Sequence, residues 1–256
     1  MIPRLHIDAP LSAKASIALS REQAHYLKAV LRRNIGDEIS VFNARDGEFC
    51  AEIKDLSKKG GIAQASEQTR ESEETFDLAL AFSPVKRNAL EMIIQKATEL
   101  GVGEFQPVQT AHTNSMKLNS ERLAAIALEA AEQCERLSVP TITPVIKLEA
   151  FLEDLPTDRA LVFCDEAGDE PDARWGGRGG RAPALLDALR DHAKALDQVT
   201  VLIGPEGGFT PAERRAIRAH DRAIAVTLGP RILRADTAAI AALTLIQAAC
   251  GDWRKV

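Results

Sequence analysis

Two loops of this 256-residue chain carry residue types able to hold a small ligand. The first is Gly204-Pro205-Glu206-Gly207-Gly208-Phe209. The second is Gly229-Pro230-Arg231-Ile232-Leu233-Arg234-Ala235-Asp236-Thr237. Glycine permits positive φ and lets backbone N–H groups come close to a ligand. Neither loop has the Lys-Ser/Thr of a P-loop or the three spaced glycines of a dinucleotide fingerprint, so phosphate cradling is not favoured. Arg231 and Arg234 offer fixed forks of donors to an oxygen that gains negative charge. Each can equally pair with a neighbouring carboxylate, Glu206 or Asp236. No histidine sits in either loop, so no proton acceptor is evident there.

The elements around the loops explain how they are positioned. Val199 to Ile203 is a β-branched run of buried-strand type, and it leads into the first loop. Thr210-Pro211-Ala212-Glu213 then opens a helix, with threonine as cap, proline at the first turn and glutamate closing a capping box. A second strand, Ala223 to Leu228, leads into the second loop. An almost uncharged helix follows, Ala238 to Cys250. The helix between the two strands is of crossover length, so both loops leave the carboxyl ends of parallel strands. Open parallel sheets bind ligands at such ends. Ordinary crossover turns are the competing reading.

Residues 1–72 predict a small β-rich domain. Ser16 to Ala18 is a strand, and Ser20-Arg21-Glu22-Gln23 is a capping box ahead of a helix through Arg32 or Arg33. On that helix His25, Lys28 and Arg32 fall at i, i+3 and i+7, on one face. A basic face of this kind can meet phosphates or simply face solvent. Glu38 to Asn43, Asp46-Gly47 and Glu48 to Leu56 predict a hairpin, and Ile62 to Ser66 a further strand. Arg70 to Glu74 reads as a linker.

From Phe76 onward strands and helices alternate, which indicates an α/β domain with a parallel sheet over residues 73–256. Phe76 to Phe82 is a strand, and Asn88 to Leu100 a helix carrying Lys96 on its side. Phe105 to Val108 is a strand, and a helix from Asn119 or Ser120 reaches Leu137. Lys86 and Lys96 can contact RNA phosphate; for Lys96 a surface ion pair with Glu91 or Glu99 is the alternative. Ala160 to Cys164 is a strand ending in Asp165-Glu166. Two adjacent carboxylates invite an acid/base reading, but neighbouring strand residues point apart. The segment Gly168 to Pro183 reads as a surface loop with Arg174, Arg178 and Arg181 available to RNA. Leu185 to Leu196 is a helix.

Composition narrows the classes. The net charge of −5 carries no nucleic-acid signal by itself. Through Ser72 there are 11 basic and 10 acidic residues, a balance of +1, which leaves −6 for the remainder, so any RNA must be met by local patches. Cys50, Cys134, Cys164 and Cys250 contain no Cys-x-x-Cys pair, which argues against a zinc site and for buried thiols in a reducing compartment. No signal-peptide pattern and no apolar run of about 20 residues are present, so a soluble cytoplasmic protein is expected. Aromatics, at 4%, are too few for a site built on base stacking.

Gly204 to Phe209 together with Leu228 to Ala238 resembles the RsmE family, the SPOUT-class methyltransferases that modify N3 of a uridine in 16S ribosomal RNA. Glu91 to Gly101 and Glu132 to Leu137 are similar to that family as well. The resemblance implies a PUA-like RNA-binding barrel followed by a trefoil-knotted SPOUT domain, in a homodimer. It implies an S-adenosyl-L-methionine site formed by Leu202, Gly204, Glu206, Gly207, Leu228, Gly229, Ile232, Leu233 and Thr237. Arg234 is then the candidate catalytic residue, with Arg231 second, since removing the N3 proton spreads negative charge over the uracil oxygens. His25, Lys28, Arg32, Lys86 and Lys96 are the implied RNA contacts. Two departures are visible: Asp236 stands where the family usually has glutamate, and Ala111-His112 where relatives often show Glu-Arg. A non-enzymatic ribosome-assembly protein and a nucleotide-dependent enzyme are the competing classes, the latter disfavoured by the missing phosphate motifs.

Overall fold

The computed structural model describes residues 2–113, 118–165, 182–190 and 196–255. Arg174, Arg178, Arg181 and Glu166 lie outside the described residues. The chain forms two compact units, Met1–Glu74 with Leu128–Val139, and Thr75–Ala127 with Pro140–Val256.

The first unit is a five-stranded sheet in the order β1-β3-β4-β5-β2, from β1 (Arg4–His6), β2 (Ser16–Leu19), β3 (Glu38–Asn43), β4 (Gly47–Ser57) and β5 (Gly60–Arg70). Alternation in β3 sends Ile39 and Val41 into a core shared with Leu5, Ile17, Ala51, Ile53 and Ala63. The β3–β4 turn is tied by Asn43, whose Oδ1 accepts the Asp46 N–H at 2.7 Å. Helix α1 (Arg21–His25) begins with the expected box: Ser20 Oγ accepts the Gln23 N–H, and the Gln23 side chain accepts the Ser20 N–H.

The basic helix face does not form. After His25 the chain widens into a π-helical turn, Tyr26–Val30, closed by the Leu31 N–H on the Tyr26 carbonyl at 3.0 Å. The wider turn breaks the 3.6-residue register. Arg32 lies beyond the helix with φ 55°, in the left-handed region. His25, Lys28 and Arg32 are all exposed, but not on one helical stripe. Lys28 Nζ donates to the Leu56 carbonyl at 3.3 Å.

Arg4 anchors the end of α3 (Ser120–Gln133) in this unit. Its Nη1 donates to the carbonyls of Ala131 (3.3 Å) and Glu132 (2.9 Å), and its Nη2 to that of Arg136 (3.3 Å). A cation here satisfies orphan carbonyls and complements the helix dipole. Its Nε meets Glu48 at 2.9 Å. Glu48 also accepts from Ser40 and Arg70. Helix α3 stops at Gln133 rather than Leu137, because Glu135 takes a positive φ of 62°.

The second unit is built on a parallel sheet in the order β12-β10-β11-β6-β7-β8, with β9 also on β7. Its strands are β6 (Asp77–Phe82), β7 (Glu104–Gln109), β8 (Thr141–Ile142), β9 (Ile146–Lys147), β10 (Ala160–Cys164), β11 (Gln198–Ile203) and β12 (Ala223–Val226). Both faces are covered, as a parallel sheet requires. Leu78, Leu80, Phe82 and Val162 pack under α2 (Arg87–Glu99), α5 (Leu185–Arg190) and α7 (Ala235–Ala249). Ala81, Leu161, Phe163 and Leu202 pack on the opposite side with α4 (Leu148–Asp154) and α6 (Pro211–Arg218).

Two expected boundaries are corrected. Strand β12 ends at Val226, two residues short of Leu228, so Leu228 joins the loop. Between β11 and β12 lies β10, which pairs in parallel with each, so both glycine loops leave the same edge of the sheet. Helix α7 starts at Ala235 rather than Ala238, with Arg234 at the N-cap and Asp236 in its first turn. The short elements β8, β9 and α4 carry no strong periodicity and were not expected.

Candidate functional site

The carboxyl ends of β10, β11 and β12 open on one cleft of about 880 Å³. Strand β10 contributes Cys164 and Asp165. Strand β11 contributes Ile203 and the loop through Glu206, and β12 the loop from Thr227 to Asp236. The start of α2, from Val85 to Ala89 with Met92, completes the wall. Of the residues singled out by sequence, Gly204, Glu206, Leu228, Gly229, Ile232, Leu233, Arg234 and Lys86 line this cleft.

The glycines serve different purposes. Gly229 has φ +116°, a conformation that side chains resist, and a Cβ there would meet nothing within 4 Å. At Gly204 a Cβ would come within 2.6 Å of the Phe209 ring. That ring stands edge-on to Phe163 of β10, centroids 5.2 Å apart, and so fastens the first loop to the sheet. A Cβ on Gly207 would point at His112, 3.2 Å from its Cβ. Gly207 therefore turns away from the cleft and toward the turn after β7. Leu202 is fully buried among Phe163, Leu148 and Ile217, and its side chain does not reach the cleft. Thr237 is exposed in the first turn of α7, where its N–H donates to Asp236 Oδ1 at 2.7 Å.

Cations gather on the cleft. Lys86, Arg87, Arg231 and Arg234 line it, against the carboxylates Glu206, Asp236 and Asp165. Arg87 is paired with Glu91 at 2.8 Å, and the hydrogen bonds of Arg122 and then Arg87 bring the Glu91 carboxyl down to about 2. Among the described residues Lys86, Arg231 and Arg234 form no ion pair. The ion pairing of Arg234 with Glu206 or Asp236 left open by the sequence does not occur. Two helix N-termini, those of α2 and α7, begin at the cleft with Lys86 and Arg234 at their caps and no side-chain cap bond. Uncapped N–H groups and the positive dipole end favour a negative group.

Asp165 is structural. Its carboxylate takes Arg214 Nε at 3.0 Å and Nη2 at 3.0 Å, and Arg218 Nη2 at 2.8 Å. Both of its oxygens accept from guanidinium groups. It joins the end of β10 to α6, the helix that the first glycine loop enters. Lys96 stands apart from the cleft and pairs with Glu99 at 2.8 Å. His25, Lys28 and Arg32 belong to the first unit. Cys250 is buried enough to raise its thiol to about 11, which keeps it inert. Sequence reasoning missed Asn88 and Met92 as cleft residues, and read Asp165 only as a possible acid or base. The signal available for Asn88 was the strand end at Phe82 followed by a helix, the same pattern as at the glycine loops.

Comparison with known proteins gives a consistent result. Residues 72–247 match the model of the RNA methyltransferase domain, and residues 19–65 that of the RNA methyltransferase PUA domain. The chain is 30% identical to the ribosomal RNA small subunit methyltransferase E of Rickettsia conorii, covering 95% of this chain and 94% of that protein. The enzyme of the same name from Neisseria gonorrhoeae, solved with S-adenosyl methionine, superposes with a TM-score of 0.81 at 26% identity, over 99% of this chain and 100% of that one. A Legionella pneumophila methyltransferase solved with the same cofactor superposes with a TM-score of 0.83 at 27% identity, over 98% and 99% of the two chains.

Proposed function

This chain belongs to the family of ribosomal RNA small subunit methyltransferase E, and we propose that it methylates N3 of one uridine in 16S ribosomal RNA with S-adenosyl-L-methionine as donor. The observation that carries the reading is the cleft at three parallel strand ends, where both glycine loops meet three cations that form no ion pair among the described residues. The lining suits the donor. Met92, Ile203 and Leu228 are apolar walls for an adenine, and the Glu206 carboxylate is an acceptor for ribose hydroxyls. The uncapped N-termini of α2 and α7 suit the donor's carboxylate. The bound donor supplies a methyl group on a positively charged sulfur.

The protein's own work is to hold the acceptor base unpaired, in line with that methyl group, and to stabilise charge. Loss of the N3 proton leaves negative charge on the uracil oxygens, and Arg234 is the fork we assign to it, with Arg231 beside it. Lys86 on the cleft, and Lys28, Arg32 and His25 on the first unit, supply phosphate contacts. Residues 1–72 act as the RNA-binding domain and residues 73–256 as the donor-binding and transfer domain. The trefoil-knotted path, a homodimer, action on the small ribosomal subunit and a cytoplasmic setting complete the proposal. The dimer has physical support in Ile240 and Leu245, which α7 leaves partly exposed, and in the exposed Met92 and Ile232. The test is mass-spectrometric nucleoside analysis of 16S ribosomal RNA from cells with and without the gene. N3-methyluridine should vanish with the gene, and an unchanged nucleoside profile would sink the reading. Sedimentation at low micromolar concentration should give a dimer; an active monomer would remove that part.

A further inference from the structure

The first glycine loop is held from outside by the turn that follows β7. Ser83, 1% exposed, places its Oγ 3.4 Å from Thr110 Oγ1. Thr113 Oγ1 accepts the Thr110 N–H at 2.8 Å and lies 2.8 Å from Thr110 Oγ1. This hydroxyl chain fixes the turn to the ends of β6 and β7. Two contacts then run from the turn to the loop and to α6. The Ala111 N–H donates to Glu213 Oε1 at 2.7 Å, while Glu213 Oε2 accepts the Thr210 N–H at 2.8 Å and so closes the capping box of α6. His112 Nδ1 lies 3.1 Å from the Gly207 carbonyl and 2.9 Å from the Gly208 carbonyl.

Carbonyl oxygens only accept, so Nδ1 must carry a hydrogen. That assigns the tautomer of neutral His112: Nδ1–H donates to the loop, and the lone pair sits on Nε2. The packing favours the glycine as well, because a Cβ on Gly207 would come within 3.2 Å of His112 Cβ. On the far side of the same turn the Gly208 N–H closes back on the Pro205 carbonyl at 2.9 Å. Gly204, Pro205 and Glu206 of this turn are cleft wall. The loop is thus held by its own turn on one side and by His112 on the other.

We propose that His112 is a positioning residue for the donor site, which sets the first glycine loop by donating Nδ1–H to the carbonyls of Gly207 and Gly208. The proposal rests on the reading of the cleft as an S-adenosylmethionine site. It concerns a position outside both loops, where this sequence has Ala111-His112 in place of the Glu-Arg that relatives often show.

The test uses full-length His112→Ala and His112→Asn, with affinity for S-adenosylhomocysteine by calorimetry and turnover on saturating small-subunit substrate. Asparagine puts an N–H close to where Nδ1–H stands but has no basic nitrogen. His112→Ala should weaken S-adenosylhomocysteine binding on the order of tenfold, the scale of one lost hydrogen bond and a freed loop. His112→Asn should return to within about threefold of wild type, in affinity and in turnover. If alanine folds poorly, the asparagine variant carries the test through its turnover. Unchanged affinity in both variants with turnover lost in both would overturn the proposal and put His112 at the reacting nucleotide instead. Alanine and asparagine equally weak in donor binding would overturn it too. Wild-type protein that fails to bind S-adenosylhomocysteine removes the cleft reading itself, and the proposal with it.

Discussion

Replacing Asp165 by asparagine keeps the shape of the side chain and removes its charge. Five contacts of 2.8 to 3.2 Å join its two oxygens to Arg214 and Arg218. The side chains of Asp165 and Arg214 are 2% and 8% exposed, and that of Arg218 is 29% exposed. Breaking a buried pair by removing one partner costs about 3–5 kcal/mol, because the remaining charge stays out of water. Arg218 can turn to solvent, so its share is closer to the ~0–1 kcal/mol of surface pairs. Arg214 therefore dominates, and a loss of about 3 kcal/mol is expected. Urea unfolding followed by far-ultraviolet circular dichroism measures it. With a slope of about 3 kcal/mol per molar, the midpoint should fall by roughly 1 M. Adding Arg214→Met should recover at least about 1 kcal/mol, since the stranded cation is then gone. A midpoint shift below about 0.3 M, at unchanged slope, would refute the view that Asp165 compensates a buried charge.

Other consequences follow from single features. Gly229→Ala forces a side chain into φ +116°, at a cost of about 1–3 kcal/mol, and should weaken S-adenosylhomocysteine binding about tenfold. Gly36→Ala imposes similar strain at φ +94° in the first unit and should leave that affinity alone; equal effects from both would show that strain at the cleft is irrelevant. Arg234→Ala should lower kcat on the order of a hundredfold at saturating RNA while both binding constants hold, and normal turnover would dismiss it as the anion-stabilising group. Burial alone would raise Glu48, but hydrogen bonds from Arg4 and Ser40 and the charges of Arg4 and Arg70 outweigh it and hold the carboxyl below its ordinary 4.5. A depressed carboxyl stabilises above its unfolded value and loses that as pH falls through its folded value, so Glu48→Gln should flatten the decline in unfolding midpoint below about pH 4.5. His6 is lowered from 6.5 by burial, so its contribution is lost as pH falls below about 6.5, a separate limb that Glu48→Gln leaves in place.

Local chemistry was legible in the sequence. Both capping boxes, Ser20 with Gln23 and Thr210 with Glu213, need only a few consecutive residues, and both form as expected. The alternation of strands and helices was enough to expect the parallel sheet. What could not be read was spacing through the fold. Nothing local to Ala160–Cys164 says that it enters between β11 and β12, yet that insertion brings Cys164 and Asp165 into the cleft wall. The basic helix face failed because one π-helical turn is enough to change every later register, and no simple composition rule marks it. Asp165 was visible as a carboxylate, but its partners Arg214 and Arg218 stand 49 and 53 residues away. His112 was noticed for its residue type, while its contact with Gly207 and Gly208 spans 95 and 96 residues.

The sheet order has a consequence during synthesis. Asp77 of β6 pairs with Gln198 of β11, and 198 minus 77 is 121 residues of chain. At a translation rate of about 5–20 residues per second, β6 waits roughly 6–24 s for that neighbour. Its other edge is taken sooner, by β7, where Ala79 pairs with Glu104 only 25 residues on. In the interval Leu78-Ala79-Leu80-Ala81-Phe82 presents one open edge, uncharged and without proline, of the kind that recruits strands from other chains. The first unit shows no such delay at its hairpin, where Asn43 meets Gly47 across a single turn. Nascent chains stalled between about residues 110 and 197 should therefore be the species most dependent on chaperones. The cleft, which needs β12 and the start of α7 as well, cannot form until the chain has been made through Ala238.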